Sequence, residues 1–241
     1  MSLTSSCATP IRAVDGQDWG AIEQALDAHG NALLAHLLTP AQCDALVAMY
    51  PQDRHFRSRV VMARHGFGLG EYKYFTYPLP DLLAVLREAL YARLVPLANR
   101  WNRLMGIDVR YPENLQDFLE RCHAAGQHRP TPLLLRYGAG DYNCLHQDLY
   151  GEHVFPLQVV ILLARPQTDF TGGELLMTER GASMDRVEVL PLRQGDGAVF
   201  AVNQRPVPGK RTTRRVAMRH GVSRVLTGHR HTVGLIFHDA R

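Results

Sequence analysis

"PLLLRYGAGDYNCLHQD", residues 132–148, decides how the chain is read. A short apolar run ends in a Gly, Ala, Gly and Asp break, and a second, strand-like segment then ends in polar residues. Upstream of Pro132 the periodicity is mostly helical. Downstream, runs of Val, Leu and Ile recur between Gly, Pro, Asp and Asn: "PLQVVILLA", "GELLMTE", "VEVLPL", "GAVFAV", "RRVAMRHGVS" and "RHTVGLIFH". Residues of this kind favour strands, and their spacing predicts an antiparallel double-sheet barrel or sandwich. The fold class expected is therefore α+β, with N-terminal helices packed outside a C-terminal β-core.

The helical half contains "DWGAIEQALDAHG" (18–30), "TPAQCDALVAMY" with Thr39 placed to cap it, "LPDLLAVLREALYARLVPLANRWNRLM" and "NLQDFLERCHAAG". Between them, 59–80 is rich in Gly and Tyr and suggests strands joined by an exposed turn. It is a candidate substrate lid, in which Tyr72, Tyr74 and Phe75 stack a base while Arg64 and Lys73 meet phosphates. The plainer reading of the same residues is a hairpin with half-buried tyrosines. Trp19 and Trp101 fall in amphipathic patterns and are expected in the core.

With 241 residues and 46% hydrophobic content, the chain can bury a sizeable core and suits one domain, 1–241. Its parts would be a mainly helical 1–130 and a β-core at 131–241. No run of about 18 apolar residues occurs, and the first residues lack a secretory pattern, so a soluble cytoplasmic protein is expected. The four cysteines, Cys7, Cys43, Cys122 and Cys144, form no C-x-x-C pair, which argues against a zinc knuckle or a disulfide framework. Net charge is only +4, yet residues 205–230 hold eight Lys or Arg and no Asp or Glu. That stretch is either a solvated sheet edge or a surface for DNA or RNA phosphates.

Side chains two apart on a strand share a face, so His146 and Asp148 project together while Gln147 turns away. His220 is the best third partner, ahead of His229, His231 and His238. His229 and His231 flank Arg230 and face away from it, whereas His238 is too far along its strand. His153 lies beyond the segment and is expected in a loop with Glu152. Two imidazoles and one carboxylate are the ligand set of non-haem Fe(II) oxygenases, and they leave three metal positions open. Arg230, ten residues after His220, can anchor the far carboxylate of a chelating co-substrate such as 2-oxoglutarate. Gly172, Gly173 and Asp196 are expected in turns.

The order of "RYGAGDYNCLHQD", "FTGGELLMTE", "QGDGAVF" and "RHGVSRVLTGHRHTVGLIFH" resembles the Fe(II)/2-oxoglutarate-dependent dioxygenases. "RY..G.....LHQD" is similar to the AlkB-type nucleic-acid demethylases, and the fuller pattern resembles a bacterial group of oxygenases held to modify nucleic acids. The detailed likeness covers about 131–241, with a looser one through the N-terminal half. It implies a double-stranded β-helix of jelly-roll or cupin-like type. It also implies iron ligands at His146, Asp148 and His220, a 2-oxoglutarate anchor at Arg230, and a hydrogen bond to the co-substrate from Tyr137. The implied reaction uses Fe(II), 2-oxoglutarate and O2 to hydroxylate a C–H bond, releasing succinate and CO2. The ten-residue step from His220 to Arg230 resembles prolyl hydroxylases and general oxygenases rather than the AlkB type. A protein side-chain or small-molecule hydroxylase thus stands beside the demethylase, with a non-catalytic barrel as a third reading.

Overall fold

The computed structural model describes residues 4–181, 184–209 and 212–241. The helices are α1 (Thr4–Asp15), α2 (Trp19–His29), α3 (Pro40–Met49), α4 (Asp81–Leu104) and α5 (Leu115–Ala124). The N-terminal half supplies strands β1 (Asn31–Leu34), β2 (Phe56–Val61), β3 (Gly68–Leu69) and β4 (Glu71–Phe75). The next group is β5 (Leu133–Tyr137), β6 (Tyr142–His146), β7 (Leu157–Leu162), β8 (Phe170–Gly172), β9 (Leu175–Glu179) and β10 (Arg186–Leu190). The last is β11 (Gly197–Ala201), β12 (Gln204–Pro208), β13 (Thr213–Val222), β14 (Val225–Gly228) and β15 (Arg230–Leu235).

From β5 onward the chain passes back and forth between two antiparallel sheets, as in a jelly roll. The larger sheet has the order β1-β11-β7-β15-β5-β4-β2, and the smaller has β10-β9-β13-β6-β3, with β12 on β13. The strands expected from the sequence form where their apolar runs lie. The short β8 and β14 and the Pro-containing β12 carry weaker signals. β12 has Pro206 and Pro208 and pairs only with β13, the edge position where missing N–H donors are tolerated.

The N-terminal half is not purely an outer layer. β1 pairs with β11, and the β2–β4 hairpin extends the larger sheet beyond β5. α3 begins at Thr39, whose hydroxyl accepts from the Gln42 N–H while the Gln42 side chain accepts from the Thr39 N–H. Such a cap is worth about 1 kcal/mol. α4 buries Leu83, Leu86, Leu90, Leu94, Leu97 and Trp101 along one stripe, the spacing that makes its helical pattern legible. Trp101 is fully buried, whereas Trp19 is only partly so. α1 carried little sequence signal, because it is rich in Ser and Thr and contains Pro10. Its far end is held through buried Val14, whose carbonyl accepts from the Trp19 indole.

The 59–80 segment turns out to be mainly sheet. Tyr72, Tyr74 and Phe75 are buried, so they are not free to stack a base at the surface. Lys73 donates to Asp53 (2.7 Å) and to the Tyr50 carbonyl (3.0 Å), which occupies it structurally. β4 sits inside the larger sheet between β2 and β5, and its residues 72–75 are all buried. Arg64 alone of that set remains exposed. Among the described residues, no helix is long and apolar enough to cross a membrane.

Candidate metal centre and its cavity

A cavity opens between the two sheets. Its wall includes Tyr137, His146, Asp148, His220 and Arg230, together with Tyr72, Tyr150, Gln158 and Thr232. β6 and β13 pair with His146 opposite His220, so antiparallel register, rather than sequence proximity, brings the two imidazoles together. The rings are 4.2 Å apart between centroids. Asp148 follows the end of β6 and turns inward, while Gln147 turns away to donate to the Asn203 and Met218 carbonyls at 3.0 and 2.8 Å.

Three donor atoms then converge. His146 Nε2 lies 3.5 Å from Asp148 Oδ1, and His220 Nε2 lies 3.3 Å from Asp148 Oδ2. One ligand atom from each residue falls within 4.8 Å of the others, so the group can hold a metal ion. His146 Nδ1 is 2.8 Å from the Cys144 carbonyl, which can only accept; the proton therefore sits on Nδ1 and Nε2 keeps its lone pair for the metal. Burial alone would raise the Asp148 carboxyl, but the two histidines beside it hold it well below the usual range. Burial lowers His220. The same burial acts on His146, where Asp148 overrides it and raises the imidazole. A carboxylate already ionised beside two imidazole nitrogens suits a divalent cation such as Fe(II).

Arg230 and Tyr137 face each other across β15 and β5, with the guanidinium 5.6 Å from the ring centroid. Arg230 is 2% exposed, yet among the described residues its Nε and Nη1 have no hydrogen-bond partner, and neither does the Tyr137 hydroxyl. Burial brings the guanidinium down to about 10 and raises the phenol to about 12, so both keep their protons at neutral pH. Unpaired buried cation donors are costly unless a ligand satisfies them. A dicarboxylate bound at the metal by one end and at Arg230 by the other would do so. Gly173, at φ 65°, allows this arrangement, because a Cβ there would stand 2.9 Å from Arg230 Cδ. Gly172, expected in a turn, ends β8 instead, and Gly173 just after it is the residue that gives the arginine passage. Asp196 acts as a turn residue, accepting from the His36 and Arg193 N–H groups.

The competing histidines lie elsewhere. His229 and His231 line a separate surface groove, His238 is buried with its Nδ1 accepting from the Phe155 N–H, and His153 is in a loop. The basic stretch divides. Arg205 is buried against Glu179, Arg230 lines the cavity, and Arg215 donates to the Met105 carbonyl. Arg214, Arg219 and Arg224 are exposed, and Lys210 and Arg211 lie outside the described residues. The stretch is thus not one continuous phosphate-binding surface: alternation along β13 sends its residues to opposite faces. Sequence reasoning missed Tyr150 and Gln158, which both touch Asp148. Gln158 was visible as the one polar residue inside "LQVVILL".

Residues 70–240 match the model of the Oxygenase-NA family, described as an oxygenase catalysing oxidative methylation of damaged DNA. The chain belongs to this family. It is an Fe(II)/2-oxoglutarate oxygenase, an oxidoreductase whose cofactors are Fe(II), 2-oxoglutarate and O2. Uncharacterized protein MT2286 of Mycobacterium tuberculosis (strain CDC 1551 / Oshkosh) is 48% identical over 167 residues, 69% of this chain and 72% of that protein. Among solved structures, a Trichoplax adhaerens prolyl hydroxylase in complex with a hypoxia inducible factor peptide fragment aligns with TM-score 0.59 at 13% identity. The alignment covers 98% of this chain and 93% of that one. A Burkholderia pseudomallei oxidoreductase of the 2OG-Fe(II) oxygenase family gives TM-score 0.54 at 14% identity, covering 93% and 92%. These two likenesses establish the double-stranded β-helix fold.

Proposed function

We propose that this oxygenase demethylates a base in nucleic acid oxidatively, with Fe(II) on His146, Asp148 and His220 and 2-oxoglutarate anchored by Arg230. The observation that carries the site is the unpartnered, buried Arg230 guanidinium in the same cavity as the His, Asp and His group. When bound, the metal and co-substrate supply C–H oxidation: substrate, 2-oxoglutarate and O2 become hydroxylated substrate, succinate and CO2. On an N-methyl group the product is a hemiaminal, which loses formaldehyde and leaves N–H.

The chain's own part is binding, orientation and exclusion of water. His146, Asp148 and His220 would hold the metal through one atom each. Arg230 would pair with the far carboxylate of 2-oxoglutarate, and Tyr137 would donate to the same molecule. Nucleic acid as substrate is supported by the description of the family. Features around the opening agree with it. Phe67, 46% exposed, lines the cavity and stacks on His65 with ring centroids 5.3 Å apart. Arg180 and Arg219 line a small surface pocket that shares Gln147 with the cavity. Rings and cations so placed suit an unstacked base and its phosphates.

A second reading, hydroxylation of a protein side chain, is favoured by the prolyl hydroxylase fold neighbour and by the ten-residue step from His220 to Arg230. Methylated oligonucleotides, peptides and free amino acids assayed in parallel for succinate and formaldehyde separate the two. Formaldehyde only with methylated nucleic acid is the expected result. Hydroxylated peptide without formaldehyde replaces the first reading by the second.

A further inference from the structure

Asp148 is gripped at both oxygens. The Tyr150 hydroxyl donates to Oδ1 at 2.7 Å, and Gln158 Nε2 donates to Oδ2 at 2.9 Å. The same amide nitrogen is 3.2 Å from His220 Nε2, so one side chain touches two members of the metal-binding group. An ionised carboxylate only accepts hydrogen bonds, which fixes the amide orientation: nitrogen faces Asp148 and oxygen points away. That oxygen, Gln158 Oε1, is buried without a partner among the described residues. Gln158 sits on β7 among Leu157, Val159, Ile161 and Leu162, all buried, and is itself 7% exposed. A half-satisfied amide in an apolar strand costs folding free energy, so its placement points to a role at the site.

Asp148 lies past the end of β6 and has no strand register to hold it, unlike His146 and His220. We infer that Gln158, with Tyr150, is a positioning residue that fixes the Asp148 carboxylate for metal binding. The two donors approach different oxygens, so the carboxylate cannot rotate about its Cβ–Cγ bond without breaking one of them. Each oxygen keeps a further lone pair for the metal. Fixing the ligand before the metal arrives removes an ordering cost from binding, and loss of such outer partners typically weakens metal affinity about 10- to 100-fold.

This inference rests on the metal-centre reading above, and the test separates the two. Co(II) and, without oxygen, Fe(II) are titrated into the metal-free full-length protein, following the Co(II) absorption spectrum and the dissociation constant. Wild type and Gln158→Leu are compared, and thermal unfolding of both metal-free proteins is recorded. The expected result is binding about 10- to 100-fold weaker in the variant, with an altered Co(II) spectrum and no loss of metal-free Tm. Tyr150→Phe, which removes one hydroxyl, is expected to change affinity and spectrum in the same direction, and it serves alone if Gln158→Leu fails to fold. Unchanged affinity and spectrum in the variants overturn the inference, whether or not Tm falls. Failure of wild type to bind either metal instead removes the metal-centre reading on which it stands.

Discussion

Two buried arginines make the comparison: Arg87 is paired by the fold, whereas Arg230 carries donors that no described residue satisfies. Arg87, on α4, is 1% exposed and fully engaged. It donates to the Ile236 carbonyl (2.8 Å), the Tyr77 hydroxyl (2.9 Å) and Asp239 (3.0 Å). Tyr77 and His123 also reach Asp239, both at 2.9 Å. Arg230 is buried to the same degree, yet among the described residues its Nε and Nη1 have no hydrogen-bond partner. Burial alone therefore does not separate scaffold from site. The difference is whether folding itself supplies partners for the charge.

The largest expected effect is on the scaffold side. Arg87→Met strands a buried carboxylate and should cost about 3–5 kcal/mol in urea unfolding, or prevent folding altogether. A loss under about 1 kcal/mol would remove the contrast. Arg230→Met should leave the stability of the ligand-free protein unchanged or slightly raised, because an unpaired guanidinium is replaced by an apolar chain of similar length. It should weaken 2-oxoglutarate binding by about 2–5 kcal/mol, at least about 30-fold. Calorimetric titration of 2-oxoglutarate with Mn(II) present checks this, and equal affinity in both proteins would contradict it.

Linkage sharpens the same comparison. At about 100 times Kd, 2-oxoglutarate with Mn(II) should stabilise wild type by about 2.7 kcal/mol and Arg87→Lys, if folded, by a similar increment. At that concentration Arg230→Met should gain about 0.9 kcal/mol or less from the 2-oxoglutarate. A smaller effect concerns pH. Burial lowers His238 to about 4 from an ordinary 6.5, with Arg87 nearby acting in the same direction. The folded protein keeps this ring neutral, so the unfolded chain binds more protons below pH 6.5. The contribution is fully present above pH 6.5 and is lost as pH falls toward 4. Between pH 7 and pH 5 it should remove about 1–2 kcal/mol from the metal-free protein. His238→Gln should flatten that decline, as seen in unfolding curves at the two pH values.

The two regions were not equally legible in the sequence. β-runs such as "PLQVVILLA" and "GAVFAV" became β7 and β11 because strands buried on both faces read as continuous apolar stretches. His146 and Asp148 were visible through their two-residue spacing. His220 could be ranked first among the histidines, although only the β6–β13 register shows it opposite His146. The finished cluster was invisible: Arg87, Tyr77, His123 and Asp239 are far apart in the chain and follow no motif, and only packing brings them together. The sequence left the aromatic residues of 59–80 open between a substrate lid and a plain hairpin for a related reason. A tyrosine-rich strand looks the same whether it covers a site or lies inside a sheet, and the pairing of β4 with both β2 and β5 decided it. Phe67, in the turn before β3, is the ring that does reach the cavity opening.

The most direct measurement is succinate release from 2-oxoglutarate with and without added Fe(II), for wild type and for His146→Ala. Turnover that needs Fe(II) and falls to background in the variant is the predicted result. Equal turnover by both proteins would contradict the metal centre on which this account depends.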